Sequence, residues 1–402
     1  MPQREPRQAV ISGARIAGLS AAFWLRRTGW AVTVLERAET FRDGGQNVDV
    51  RGVAREVLDR MGLVEAVRAR NTTETGTVLV DEDGIVTAEL PSDGPDGATA
   101  ELEVLRGDFA RTILDALPDG VEIRYGQTIV EVDDHSGDGD DVRPVTVTTA
   151  SGQELPADLL VIAEGVRSST RDLLFSDQVE RRELGISMVF GTIPRTATDD
   201  DRWRWLTTTG GRQVHLRPDP YGTTRAILAV ARAGNLVELD RAAAMARLRE
   251  LFADAGWEAG RVLDGFETSD DVYVDDLTQI RMPSWHAGRV MLAGDAAWCV
   301  TPMGGGGASL ALVSGYVLAA QLSTAPDVAT ALGEYEAWMR PLVDDVQHLP
   351  PGIEHFAYPK TRLGVAVRRL LDKAITSPPL RPLAARLTQV AETDRPLPVL
   401  TG

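Results

Sequence analysis

Apolar residues recur along the chain in two rhythms, one of period two and one near 3.6. Residues 9–12 form a short apolar run that ends in a turn, and over 16–28 Leu19, Ala22, Phe23 and Leu25 recur at helical spacing, which predicts a helix with one buried face. After Gly29 the run 31–35 is apolar enough for a strand covered on both sides, as strands of parallel sheets are. Strand, helix and strand at the outset predict a βαβ unit. Helices are predicted at 53–61 and 65–70, whereas 75–90 alternates as two strands about the turn Asp83-Gly84. The polar Gly/Pro stretch 92–100 reads as a loop.

A helix is predicted from Arg106 to about Leu117, and strands at 121–133, 144–149 and 155–163. The acidic link 135–141 reads as a solvated hairpin tip, which places His135 away from chemistry. Strands dominate 185–230, a helix follows at 241–252, and a strand region ends near Arg281. One more apolar strand, 290–293, leads through a Gly-rich turn into a long apolar helix, 308–322. Beyond it, prolines at 341, 350, 351, 378, 379 and 382 predict short helices packed on the outside. No internal repeat is visible.

Composition narrows the picture. A chain of 402 residues suits two packed domains that share one cleft. Its net charge of −17 argues against nucleic acid or anionic lipid as partners, so an anionic ligand would have to be held by local groups. Lys360 and Lys373 are the only lysines, which leaves arginine to supply nearly all positive charge. The single cysteine, Cys299, excludes an intrachain disulfide and reads as a small buried residue. No apolar leader and no run of about 18 apolar residues occurs, so a cytoplasmic location without a membrane partner is expected. The five histidines, 135, 215, 286, 348 and 355, are scattered; neither a metal cluster nor a catalytic triad is expected.

Three motifs carry the chemistry. In the first, Gly13-Ala14-Arg15-Ile16-Ala17-Gly18 joins strand to helix and Glu36 ends the next strand. A tight turn, close approach of backbone to a pyrophosphate at a helix N-terminus, and an acid for ribose hydroxyls are what dinucleotide binding asks for. Gly13, Gly18 and Glu36 meet these demands, while Arg15 stands in place of the middle glycine: it would pair with a phosphate or weaken the site. The second motif is a buried strand from Asp158 ending in Glu164-Gly165, with Ser168 and Arg171 beyond. The third runs from Gly288 through Gly294-Asp295-Ala296-Ala297 to Thr301-Pro302-Met303 and Gly304 to Gly307, then Ala308-Ser309-Leu310. Here a strand delivers Asp295 to a hydroxyl-rich chain, and the glycines let backbone N–H groups face a ring or phosphate at a helix start.

In this order and at these separations the motifs resemble the aromatic-hydroxylase class of FAD-dependent monooxygenases (group A, p-hydroxybenzoate hydroxylase-like), and within it the tetracycline-inactivating and polyketide-tailoring branch. The resemblance covers about residues 8 to 345. It implies an α/β fold: a Rossmann-like (GR2-type) FAD-binding domain over 1–71, 106–182 and 283–345, an inserted mixed-sheet substrate domain over 72–105 and 183–282, and C-terminal helices over 346–402. It further implies that Glu36 and Arg37 hold the adenosine side, Arg106 the pyrophosphate or ribityl chain, Asp295 the ribityl chain, and Pro302 with Gly304, Gly305 and Gly307, then Ala308 and Ser309, the isoalloxazine edge. The segment from Gly44 to Gly52, with Gln46, Asn47 and Arg51, is similar to the loop beside the flavin, and Gln46 and Asn47 are expected to reach the substrate. Glu164 stands where relatives carry Asp, and Trp298 where many carry His or Tyr.

The same resemblance implies that NADPH or NADH reduces FAD, that reduced flavin meets molecular oxygen, and that a C4a-hydroperoxide hydroxylates an aromatic or polycyclic substrate. The cofactor then does the hard chemistry, and the protein positions substrate and excludes water. Gln213 and His215 alternate on one side of a strand and, if that side is the cleft, bind substrate oxygens; a surface strand is the alternative. Arg225 is a further candidate. Trp203-Arg204-Trp205 matches the start of a flavin-halogenase signature without its continuation, and reads better as aromatic packing. Two other functions fit the fold: a cyclase-type tailoring enzyme with structural FAD, and a noncatalytic relative that has lost FAD. A monomer or homodimer is expected.

Overall fold

The computed structural model describes residues 6–91, 102–134, 144–234, 236–375, 393 and 395–401. The loop 92–100, the link 135–141 and the prolines at 378, 379 and 382 lie outside the described residues.

The βαβ unit forms as the pattern dictates: strand Gln8–Ser12, helix Ile16–Arg27, strand Ala31–Glu36. The two strands are parallel neighbours in a six-stranded sheet of order His286–Ala287, Val290–Leu292, Leu159–Ile162, Gln8–Ser12, Ala31–Glu36, Val121–Tyr125. Every pairing in it is parallel except that of the short edge strand His286–Ala287. Ile11, Val34, Leu160, Val161 and Leu292 are all fully buried, and the runs 9–12, 159–162 and 290–292 are continuous rather than alternating because helices cover the sheet. Helix Ile16–Arg27 packs against helix Gly307–Thr324. They approach so closely that a Cβ on Gly315 would stand 2.4 Å from the Ala21 nitrogen, and Ser20 Oγ donates to the Leu312 carbonyl at 2.6 Å. Gly307–Thr324 is long and apolar enough to cross a membrane, but most of it is buried inside this core.

The second sheet has seven strands in the order Tyr273–Arg281, Glu180–Pro194, Thr223–Ala231, Arg212–Pro218, Trp203–Thr208, Gly76–Val80, Val86–Pro91. It is antiparallel except where Trp203–Thr208 meets Gly76–Val80. Alternation gives it two faces. Val78, Val80, Val189, Leu206, Val214, Leu216 and Leu228 point to helices Arg241–Phe252 and Ala259–Thr268 and make a separate core with Leu248, Phe252, Val262 and Phe266. The helix Ala259–Thr268 is absent from the sequence pattern because Gly260 and Gly265 interrupt it; burial of Val262, Leu263 and Phe266 overrides their cost. The opposite face carries Met188, Phe190, Ile227 and Ala229 and packs on Tyr358 and Met303.

One expectation fails. Pro341 does not break the chain into short helices but lies inside the 20-residue helix Val328–Gln347. Proline leaves the carbonyl four residues earlier without its helical donor. That carbonyl, of Ala337, accepts from Arg395 Nη1 at 3.4 Å, and burial of Leu332, Tyr335, Met339 and Val343 carries the helix through. Short helices do follow, Ile353–Ala357 and Arg362–Ile375.

Candidate functional site: a dinucleotide crevice beneath an aromatic face

Strands Gln8–Ser12, Leu159–Ile162 and Val290–Leu292 are adjacent, so the three motifs that follow them open on one crevice at the carboxyl edge of the sheet. Backbone bonds knit them: Ala163 N–H to the Ser12 carbonyl at 2.7 Å, and Ala293 N–H to that of Ile162 at 2.9 Å. Gly13 has φ +109°, and a Cβ there would lie 2.4 Å from the Ala163 oxygen; one on Gly18 would lie 1.9 Å from the Gly13 oxygen. The two glycines therefore let the helix start bear directly on the turn. The Glu36 carboxylate accepts from the N–H groups of Ala14 and Ala38, both at 2.9 Å, which fixes the turn against the second strand.

Glu164 has a different part from the one its place in the motif suggests. One oxygen accepts from Ser12 Oγ at 2.5 Å and Thr170 Oγ1 at 2.6 Å, the other from Ser168 Oγ at 2.7 Å and Thr170 N–H at 3.0 Å. Protein donors thus engage both oxygens, and the carboxylate ties the second motif to the first. Fully buried Arg171 ties it to the third, donating to the Ala296 carbonyl at 3.2 Å.

The crevice floor is positively charged. Arg15 precedes the first helix in extended conformation (φ −109°), and its Nη1 is buried without a protein partner, as is Nε of Arg106. Burial, then the nearby Arg106, lowers the Arg15 pKa, with Glu36 opposing and Arg42 adding to the effect. Cations gathered in this way inside a chain of net charge −17, each with a donor that no protein group takes up, suit a pyrophosphate. The loop that carries Gln46 and Asn47 lies over Arg106, whose N–H donates to the Gln46 carbonyl at 2.9 Å; Oε1 of Gln46 and Oδ1 of Asn47 are buried without partners. Arg37 is exposed at the rim.

Asp295 opens the short helix Asp295–Trp298 after Gly294 at φ +61°. Its side chain faces open space in the crevice, yet protein encloses it enough to raise its pKa against the pull of Arg106. Beyond, Gly305 and Gly306 adopt φ 71° and 64°, and helix Gly307–Thr324 begins with the free N–H groups of a first turn. Pro302 is exposed. The Ser309 hydroxyl is engaged elsewhere: it donates to the Asp49 carbonyl at 3.0 Å and accepts from Arg51 N–H at 3.1 Å, binding the loop that carries Gln46 and Asn47 to this helix. Sequence reasoning missed Tyr273 and Asp275, neighbours of Arg106 on the strand Tyr273–Arg281. Their period-two spacing in Tyr-Val-Asp was the available signal.

The family model for an FAD binding domain matches residues 7–346. The chain belongs to this FAD-binding family. It is 32% identical over 397 residues to a monooxygenase, CTB7, of Cercospora beticola, with 92% of each chain covered. It is 31% identical over 383 residues to the flavin-dependent monooxygenase eupH of a Phoma species, with 89% of each covered. Among solved structures the tetracycline destructase Tet(51) superposes with a TM-score of 0.80 at 25% identity, covering 99% of this chain and 100% of that one. The protein is an FAD-dependent monooxygenase of the group A hydroxylase type, reduced by NAD(P)H, and has the Rossmann-like fold with an inserted mixed sheet that the motifs implied.

In this flavoenzyme the strand Arg212–Pro218 is no surface strand. Gln213 and His215 point away from the helices that cover Val214 and Leu216, to the face on which Met303, from the turn before helix Gly307–Thr324, also packs. Both expected substrate ligands are buried: Gln213 is 1% and His215 3% exposed. Trp203 Nε1 donates to His215 Nδ1 at 3.2 Å, which leaves Nε2–H to donate to Gln213 Oε1 at 3.1 Å, and Gln213 Nε2 donates to the Ala357 carbonyl at 2.8 Å. Burial, then Arg217 and Arg368, lowers the His215 pKa to about 3, so the ring is neutral. What this face offers instead is aromatic. Trp203 and Trp205 are half-buried and stack at 5.2 Å and 15°, with His215 4.6 Å behind Trp205. Arg225, a further expected substrate ligand, is engaged by Asp219 at 3.0 Å and Asp271 at 3.1 Å.

Proposed function

We propose that this flavoenzyme hydroxylates a flat, electron-rich aromatic or polycyclic natural product, held between the flavin edge and the Trp203–Trp205 pair. The observation that carries the reading is the composition of that face: stacked indoles backed by a neutral histidine whose hydrogen bonds are closed within the protein. Such a surface recognises shape and π-electrons rather than charge. Arg217 over Trp203 at 4.1 Å and Arg368 over Trp205 at 5.8 Å orient the indoles from their far sides. The likeness to a tetracycline destructase agrees with a polycyclic substrate.

The crevice residues fit FAD. Arg15 and Arg106 supply unpaired donors for the pyrophosphate, Glu36 and Arg37 flank the adenosine, and Asp295 takes a ribityl hydroxyl. Gly305, Gly307, Ala308 and the backbone of Ser309 border the ring with Pro302, and Gln46, Asn47 and Arg51 line the loop beside it. Glu164 acts by holding the first two motifs together. FAD, once bound and reduced, supplies oxygen activation and transfer; these side chains bind, orient and exclude water. The units divide as 1–71, 106–182 and 283–345 around FAD and 72–105 with 183–282 over the substrate, in a cytoplasmic monomer or homodimer.

The deciding experiment is a visible spectrum of the purified protein with NADPH, followed by NADPH oxidation against a panel of polycyclic phenols that includes tetracycline. A yellow protein whose oxidation rate and oxygenated product rise with one class of ring supports the reading. Oxidation that no aromatic compound stimulates would overturn it.

A further inference from the structure

Away from the crevice floor, a group of buried acids joins the loop beside the flavin to the sheet above it. Strand Asn47–Asp49 pairs with Glu103–Leu105 so that Asp49 stands opposite Glu103. Glu74 reaches the same place from the segment before strand Gly76–Val80, and Arg217 from the end of strand Arg212–Pro218. Arg217 Nε donates to Glu74 Oε2 at 2.9 Å, and its Nη2 pairs with Glu103. Asn47 Nδ2 donates to Glu103 Oε1 at 2.8 Å, and Arg51 pairs with Asp49 at 3.1 Å. Three carboxyl groups therefore meet two guanidinium groups, an excess of one negative charge.

The remaining oxygens, Glu74 Oε1 and Glu103 Oε2, are buried and receive no donor. The two carboxyl groups lie within hydrogen-bonding reach of each other. Facing acceptors repel unless a proton stands between them. At 0% and 2% side-chain exposure, Glu74 and Glu103 leave no path for any larger cation.

We propose that Glu74 and Glu103 share one proton, and that Glu103 in this pair is a positioning residue for the hydroxylase: through Asn47 it sets the loop beside the flavin, and through Arg217 the strand that backs the indole pair. The groups that face it are Asp49 and Arg51 from the loop, Glu74, and Arg217; His215, two residues from Arg217, is neutral. Burial, opposed by Arg217 and reinforced by Glu74 and Asp49, pushes Glu103 up to about 8. The folded protein then keeps a proton that the unfolded chain gives up near 4.5. The pair's contribution to stability is complete below that value, declines as pH rises through about 8, and is level beyond. Above it, two repelling carboxylates loosen the Asn47 contact and with it the flavin-side loop.

The test rests on the FAD assignment and has one arm that does not. In the holoenzyme, flavin fluorescence reads FAD dissociation on dilution between about pH 6 and about pH 9.5. In the natural protein dissociation rises roughly tenfold as the pair loses its proton, the equivalent of one unit of linkage. Glu103→Gln, a permanent mimic of the protonated acid, abolishes that rise, and Glu103→Ala raises dissociation at every pH. Glu74→Gln serves if the first variant fails to fold. Infrared difference spectra between the natural protein and Glu103→Gln near neutral pH show the loss of a protonated carboxyl band. A pH-dependent rise unchanged in both glutamine variants, or no such band, overturns the proposal. A protein colourless at every pH would defeat the FAD assignment while leaving the infrared arm to decide the shared proton.

Discussion

The floor and the roof of the crevice are built on opposite principles. On the floor, polar groups are left open: Nη1 of Arg15 and Nε of Arg106 have no protein partner, and Asp295 faces space. On the roof, most polar groups are closed on one another, Trp203 to His215 to Gln213 to the Ala357 carbonyl, and Arg225 on two aspartates, with Nε1 of Trp205 the exception. Buried polar groups are normally paired, so unpaired ones mark where a polar ligand belongs. Paired ones mark rigidity. The floor therefore reads chemistry, a charged and hydroxyl-rich cofactor, and the roof reads shape.

The contrast can be broken most severely at the floor. Gly18→Val places a side chain within 1.9 Å of the Gly13 oxygen, and the expected result is loss of the folded yellow protein, since overpacking of this kind costs about 1–3 kcal/mol or more. Circular dichroism and the visible spectrum check it. Asp295→Ala removes an acceptor at a nearly closed site; FAD dissociation, measured by fluorescence titration of stripped protein, is expected to rise by about ten- to a hundredfold. Arg15→Gly, which restores the commoner small residue, is expected to weaken FAD roughly tenfold and flatten the salt dependence of binding, the result proper to a phosphate ligand rather than an obstruction. Tighter FAD would reverse that reading.

Breaking the roof should do less. Trp205→Leu retains bulk but loses the stack, and the KM for a stimulating aromatic compound is expected to rise about two- to tenfold with FAD affinity unchanged. Near neutral pH the smallest effect is that of His215. His215 stays neutral in the folded protein down to about 3, while the unfolded chain takes up a proton near 6.5. The unfolded state binds more protons in that window, so stability falls as pH drops through it, by at most about 1.4 kcal/mol per unit. His215→Asn should lessen the acid sensitivity of the melting temperature and leave turnover above pH 7 without a histidine limb.

The floor was legible in the sequence because its parts are local: a turn, a strand end and a helix start each fall within a few consecutive residues, as around Gly13 and Asp295. Partners remote in sequence were not legible. Whether Glu164 faced a ligand or the protein depended on Ser12, some 152 residues away, and the fate of Arg225 on Asp271. Alternation correctly put Gln213 and His215 on one side of their strand, but alternation says nothing of depth, and both are buried. Pro341 misled for the same reason: a breaker is decided by what satisfies the freed carbonyl, and that was Arg395.

The neighbouring positions of Gln8–Ser12 and Val290–Leu292, separated only by Leu159–Ile162, have a consequence for synthesis. The strand that bears the first glycine turn leaves the ribosome early and the strand that bears Asp295 late, an interval on the order of tens of seconds at ordinary elongation rates. During that interval the nascent chain carries an apolar helix, Ile16–Arg27, whose partner Gly307–Thr324 is not yet made. The cofactor cradle is thus one of the last things the chain completes, and its first half must be kept from sticking to anything else until then.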